Sequence, residues 1–266
     1  MGIAYYPTHI LREHAPITPR DVVAVVLTHR NRHEMLDACI SSIRRYFKGD
    51  IVVVDDRSDK PIENICVKHS ARLVKLSPLP GNVFRKSLAI NTGVKLTNSK
   101  YILLNDVDCL HYSYVIFQLI ALLNKNGGNI AVPARKNIWR SASDILRHIQ
   151  NGSALRLPVS GIESGLHAGM REGETIVSRD WGGGWGYGML MERSVFDRIG
   201  GFDEEMIGFS SEDADFSLRA IQNGFNFLFT RHVSVFHVGH GFMQGWGADS
   251  KFNQGKFRQK HGFWGP

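Results

Sequence analysis

The chain alternates short apolar, β-branched runs with segments whose apolar residues recur at helical spacing. Residues 22–27 form the first run, and Leu36, Cys39, Ile40, Ile43 and Phe47 then mark one face of a helix over 34–47. Residues 51–54 form a second buried run, 62–69 a short helix, 72–76 a third strand, 87–96 a helix and 101–104 a fourth strand. Strands alternating with amphipathic helices predict an α/β fold: a single Rossmann-like, mixed but mostly parallel sheet flanked by helices, with right-handed crossovers. After residue 108 the rhythm loosens. A helix is expected over 114–123 and a strand over 130–133, whereas 135–180 mixes Gly, Ser and charge and reads as an insertion with one helix at 144–150. Residues 181–188 are glycine and aromatic. A helical turn follows at 195–199, a helix at 211–223 stopped by Gly224, and two β-like runs at 225–229 and 233–236.

A chain of 266 residues with 43% hydrophobic content has room for one large core. The formal charge of +7 favours anionic partners such as nucleotides, nucleic acid or acidic lipid. The basic residues are scattered rather than clustered, which predicts a basic cleft and not a nucleic-acid-binding tail. Cys39, Cys66 and Cys109 cannot all pair and show no metal-ligand spacing, which suits a reducing compartment. No apolar stretch is long enough to span a bilayer, and residues 1–20 carry neither the charged start nor the apolar run of a signal peptide. The expectation is therefore a soluble, cytoplasmic protein.

The chemistry gathers at strand ends. The first strand is followed by Thr28-His29-Arg30-Asn31-Arg32, the second by Asp55-Asp56-Arg57-Ser58 and the fourth by Asn105-Asp106-Val107-Asp108. Ligands of open α/β sheets bind at this carboxyl edge. Two carboxylates two residues apart suit a hard divalent cation that also binds phosphate oxygens; a helix cap or a turn is the other reading of the same pair. Arg30 and Arg32 can fork onto a pyrophosphate, and a carboxylate after the second strand can meet a base or ribose. No glycine-rich phosphate loop follows any strand, which leaves phosphate charge to metal and arginine. Further on, Ser211 is placed to cap a helix whose first turn holds Glu212 and Asp213. The helix dipole would keep Asp213 ionised and able to take a proton, although acids in a first turn are also ordinary helix starters. One of His232, His237 and His240 can complete a metal site begun by Asp108. Trp181, Trp185 and Trp246 suit sugar stacking or loop packing equally.

In order and spacing these motifs resemble nucleotide-sugar glycosyltransferases of the glycosyltransferase-A fold, especially the β-1,4-galactosyltransferase group and bacterial family-2 enzymes, from about Val22 to about His240. Thr28 to Arg32 is similar to a segment whose arginines serve the donor nucleotide. Val53 to Ser58 is similar to Val-Asp-Asp-Gly-Ser, which implies that Asp56 contacts uracil. Phe84 to Gly93 is similar to the Arg-Ala-Lys-Leu-Leu-Asn-x-Gly helix, which brings Arg85, Lys86 and Asn91 to the donor. Asp106-Val107-Asp108 is similar to the metal-binding Asp-x-Asp, in which the last Asp ligates the ion. Gly200 to Glu204 with Ser211 to Asp215 is similar to the Gly-Gly-Phe-Asp-Glu and Gly-Glu-Asp-x-Asp pair, in which the Asp after Glu is the base of inverting members. The resemblance carries the third metal ligand to His237. Arg57, Ser210 and Ser211 stand where the family has glycine, and the Trp-Gly segment lies upstream of its usual place.

The resemblance implies a metal-dependent inverting transfer of a hexosyl or N-acetylhexosaminyl group from a UDP-sugar to a hydroxyl of a glycan or glycoconjugate. Asp213 and Glu212 form the implied catalytic pair. The implied donor site comprises Thr28, Arg30, Arg32, Asp56, Arg85, Lys86, Asn91, Asp106, Trp185 and Gly186, and Asp108 with His237 would hold Mn²⁺ or Mg²⁺. Nucleic acid as acceptor and a peripheral membrane contact are compatible with the charge, the former less favoured. A non-catalytic nucleotide-sugar-binding module is the remaining alternative. The chain divides into an N-terminal arm (1–20), a nucleotide-binding half (21–108), an acceptor-binding and catalytic half (109–240) and a tail or lid (241–266).

Overall fold

The computed structural model describes residues 23–77, 83–163, 165–179, 188–208, 210–239 and 246–263. The expected arm (1–20) and the Trp181–Gly186 segment lie outside the described residues. The first half follows the sequence pattern closely: β1 (Val23–His29), α1 (His33–Tyr46), β2 (Asp50–Asp55), α2 (Glu63–Lys68), β3 (Arg72–Lys75), α3 (Lys86–Lys95) and β4 (Tyr101–Asp106). β3, β2, β1 and β4 are adjacent and parallel in that order. The helix α3 lies unusually close to them. A Cβ on Gly93 would stand 2.5 Å from Val26 Cγ1, so glycine there sets the helix–sheet distance.

The second half carries more structure than its irregular sequence suggests. It runs β5 (Cys109–Leu110), α4 (Val115–Asn126), β6 (Ile130–Ile138), α5 (Ala142–Gln150), β7 (Gly161–Glu163), α6 (Gly165–Gly169), β8 (Thr175–Ser178), β9 (Met189–Glu192), α7 (Arg193–Ile199), α8 (Glu212–Gln222), β10 (Phe227–Val238) and α9 (Trp246–His261). The stretch 135–180, expected to be largely loop, contains the end of β6, α5, β7, α6 and β8. β7 and β8 are three and four residues long, too short for an alternating pattern to register. The two β-like runs after Gly224 are one strand, β10, whose register against β6 shifts between Thr230 and Ser234; the bulge holds the polar Arg231 and His232 that made it read as two. The expected tail contains the 16-residue helix α9, which has few apolar residues and buries Asn253 and Phe257.

All strands join one sheet of order β3-β2-β1-β4-β9-β6-β10-β5, with β7 beside β6 and β8 beside β10. It is mixed and mostly parallel, with β9 antiparallel to both β4 and β6. The core lies between the sheet and its helices: Leu27, Ile51, Val53, Ile102, Leu103, Leu190 and Phe229 have no exposed surface. Fully burying such a side chain is worth about 1.5–3 kcal/mol, so the strands are firmly anchored in the core. No helix among the described residues is long and apolar enough to cross a membrane. The three cysteines are free and buried.

Candidate active site

The parallel register places the chemistry. His29 lies opposite Asp55, and Thr28 opposite both Val54 and Asp106, so the polar segments after β1, β2 and β4 leave the sheet side by side. The turn after β4 is fixed from within. Asn105 Nδ2 donates to the carbonyls of Asp106 (2.8 Å) and Cys109 (3.1 Å), and Asn105 Oδ1 faces His111 Nε2 at 3.1 Å. Burial pushes the His111 imidazole down to about 3, so it is neutral at this contact.

Asp108 and His237 converge as the sequence suggested: Asp108 Oδ2 is 3.8 Å from His237 Nε2. His237 arrives on β10, which pairs with β5 directly after the Asp106–Asp108 turn. Its Nδ1 is 2.9 Å from Asn137 Oδ1 on neighbouring β6. That contact orients the ring and, when Nδ1 carries the proton, puts the Nε2 lone pair on the side of Asp108. Arg32 places Nη1 2.5 Å from Asp108 Oδ2, showing that this oxygen already attracts positive charge. Among the described residues no group of three or more His, Cys, Asp or Glu side chains gathers as a closed metal cage. A carboxylate and an oriented imidazole nevertheless fit a divalent cation that completes its shell with phosphate and water oxygens.

Lys86 links this turn to the second acidic group. Its Nζ lies 3.0 Å from Asp213 Oδ2, 3.2 Å from Glu212 Oε1 and 3.9 Å from Asp106 Oδ1, with its side chain 9% exposed. Burial pulls the ammonium down, but the charges of Asp106, Asp213 and Glu212 outweigh it and hold Lys86 well above its ordinary value. Burial pushes Glu212 up to about 7; Lys86 opposes the rise and Asp213 adds to it. Burial likewise pushes Asp106 up to about 6, against Lys86 and with Asp108 and Asp213. Among the described residues, Glu212 Oε2 and Asp213 Oδ1 are buried and accept no hydrogen bond.

Several expected roles need correction. Lys86 is engaged by three carboxylates and is not presented to phosphate. Asp56 has no exposed surface. It accepts from the Arg85 backbone N–H (2.6 Å), from Arg85 Nε (3.0 Å) and Nη2 (2.5 Å), and from Arg57 Nε (3.3 Å), so neither its carboxylate nor the 9%-exposed Arg85 is open to a nucleotide. Asn91 is engaged by the chain itself: Nδ2 donates to Phe202 O and Glu204 Oε1, and Oδ1 accepts from Phe202 N–H, each at 2.9 Å. It staples α3 to the Gly200–Glu204 loop. Ser211 does not cap α8, because its backbone is left-handed (φ +68°) and its side chain makes no capping bond. Thr28 and Arg30 stand at the β1 edge as expected. Trp185, Gly186 and His240 lie outside the described residues. Sequence reasoning missed Asn137, the partner of His237; only the β6–β10 pairing, which sets Asn137 opposite His237, reveals it.

Comparison with known proteins gives the family and the fold. The profile of glycosyl transferase family 2 matches residues 24–200. A hyaluronan synthase of Pasteurella multocida is 22% identical over 241 residues; these are 81% of this chain but only 24% of that protein, so the chain spans about a quarter of its curated relative. Among solved structures, S. aureus TarS 1-349 superposes with a TM-score of 0.62 at 14% identity, covering 82% of this chain and 60% of that one. GalNAc-T7, solved with UDP, GalNAc and Mn²⁺, gives 0.64 at 16% identity, covering 91% and 48%. The mannosyltransferase PcManGT of Pyrobaculum calidifontis, solved with GDP-Man and Mn²⁺, gives 0.55 at 13% identity, covering 90% and 63%. At these identities the structural likeness is one of fold.

Proposed function

The chain belongs to glycosyl transferase family 2 and has the glycosyltransferase-A fold, and from that premise we propose that it is a metal-dependent, inverting enzyme. It would move a hexosyl or N-acetylhexosaminyl group from a UDP-sugar to a hydroxyl of a glycan or glycoconjugate. The observation that carries the reading is the division of labour on Asp213. Its Oδ2 is held by Lys86, and its Oδ1 is without a hydrogen-bond partner among the described residues, in a cluster that Lys86 ties to the Asp106–Asp108 turn.

Asp213 Oδ1 would take the proton of the attacking hydroxyl, while Lys86 keeps the carboxylate oriented and offsets the charge of its acidic neighbours. Asp108 and His237 would hold Mn²⁺ or Mg²⁺, with Asn137 fixing the imidazole tautomer. Such an ion, when bound, supplies Lewis-acid stabilisation to a departing diphosphate. Arg32, beside Asp108, would face the same phosphates. The chain's contribution to rate is then orientation and fixed electrostatics. A UDP-sugar donor is favoured by the motif resemblance and by the UDP bound to GalNAc-T7; PcManGT, of the same fold, holds GDP-Man.

The test is a panel of UDP- and GDP-sugars with Mn²⁺, comparing wild type with Asp213→Asn. Transfer should vanish in the variant while UDP affinity stays within about twofold, because the substitution removes the base and no proposed donor contact. EDTA should abolish wild-type turnover and Mn²⁺ restore it. Transfer surviving in Asp213→Asn removes the base assignment, turnover undiminished by chelator removes the metal, and a preference for GDP-sugars removes the donor.

A further inference from the structure

The two residues that launch α8 are both left-handed, Ser210 at φ +83° and Ser211 at φ +68°. Side-chain-bearing residues disfavour this region, and glycine does not. Consecutive examples persist only where surrounding structure over-determines them. Here they immediately precede Glu212 and Asp213.

The bracing comes from α9. Asn253 is fully buried, and its Nδ2 donates to the carbonyls of Ile207 and Ser210, both at 2.9 Å. One amide thus ties together two points of the loop that delivers Asp213. The rest of α9 anchors that amide. Lys256 pairs with Glu205 (2.5 Å) and Lys260 with Asp203 (3.0 Å) on the loop side. Lys260 and His261 reach fully buried Asp215 (2.8 and 2.9 Å) on the helix side. Phe257, with no exposed surface, packs among Met206, Ala214 and Leu218. The helix therefore grips the chain on both flanks of Glu212-Asp213.

We propose that Asn253 is a positioning residue for the Glu212–Asp213 pair: by holding the Ser210 carbonyl it keeps two serines in a glycine-like conformation that aims Asp213 at Lys86 and at the substrate. The proposal rests on the reading of Asp213 as the base. It explains how two serines hold a conformation that glycine adopts more readily. The bracing comes from the same chain, 43 residues downstream.

The experiment compares wild type, Asn253→Ala, Asn253→Asp, the triple variant Asn253→Ala/Ser210→Gly/Ser211→Gly, and Asp213→Asn. It uses the UDP-sugar that turns over fastest and measures kcat, donor KM, UDP affinity with Mn²⁺, and melting temperature. Asn253→Asp keeps the side-chain volume but cannot donate, so it is read in place of the alanine variant should that one not fold. Both single variants should lower kcat by about tenfold or more, with donor KM and UDP affinity within about twofold, the signature of an interaction felt in the transition state. The triple variant should regain most of the lost kcat, because glycine adopts the left-handed conformation unaided. Unchanged kcat in the single variants, or a loss that the two glycines do not relieve, overturns the proposal. If Asp213→Asn still transfers sugar, the base reading fails. If Asp213→Asn is dead while the Asn253 variants are fully active, that reading stands and only the positioning role falls.

Discussion

Replacing Lys86 by methionine keeps the length of its stem and removes a buried charge. Three carboxylates face that ammonium, at 3.0 Å (Asp213), 3.2 Å (Glu212) and 3.9 Å (Asp106), and the Lys86 and Glu212 side chains are 9% and 5% exposed. Deleting one partner of a buried ion pair costs about 3–5 kcal/mol, and with several acids left facing one another the upper half of that range, about 4–5 kcal/mol, is expected in mildly alkaline solution. The sign of the pH dependence follows from Glu212 and Asp106. Burial raises them to about 7 and about 6 even beside Lys86, so the native state keeps protons that the unfolded chain has released. The contribution of these two groups to wild-type stability is therefore fully present below the unfolded carboxylate range, about pH 4, and is lost as pH rises through about 6 and 7. Without the lysine both groups rise further, and the fall steepens and extends to higher pH. Near pH 5 these acids are protonated and have little need of a cation, so the cost of the substitution should shrink to about 1–2 kcal/mol. Urea denaturation followed by tryptophan fluorescence, repeated between about pH 5 and pH 8, measures this directly. A destabilisation that is the same at both ends would refute the electrostatic account of the cluster.

Two further substitutions probe the scaffold. Asn137→Ala removes the contact that orients His237 and should weaken Mn²⁺ binding in the presence of UDP by about 10–100-fold, read by calorimetry; unchanged affinity would mean that His237 is not a ligand. Gly201→Ala forces a Cβ to within 2.7 Å of Asn91 Oδ1 at a residue with φ +72°, and should cost about 1–3 kcal/mol in urea denaturation; a neutral result would show that the loop can move away from α3.

The sheet was legible where period and composition agreed. β1, β2 and β4 are continuous apolar runs, and the polar segments that follow them leave the sheet side by side. β9 was not legible: Met-Leu-Met-Glu lacks β-branched residues and follows a glycine-rich stretch, yet Met189, Leu190 and Met191 lie fully buried between β4 and β6. α9 was missed because it buries so little apolar surface and docks largely through ion pairs and Asn253. The convergence of Asp108 with His237 and the placement of Glu212-Asp213 came from motifs. The partners of those residues did not, since Asn137, Asn253 and the salt-bridged state of Lys86 and Asp56 depend on pairings across tens of residues. Three side-chain-bearing residues beside the site, Arg57, Ser210 and Ser211, all have positive φ, the region that glycine favours. Two of them have partners that hold the turn: Arg57 reaches Asp56 and the Val83 carbonyl, and the Ser210 carbonyl accepts from Asn253.

The position of β9 has a consequence for biosynthesis. β4 and β6, which flank it, are made some 50 to 90 residues earlier, and neither can pair with the other without it. Until the ribosome delivers residues 189–192, each half of the sheet carries a bare hydrophobic border of the kind that recruits foreign strands. A four-residue insert thus covers both of these borders at once, and lesions that delay or weaken its docking should reduce soluble yield more than its length suggests.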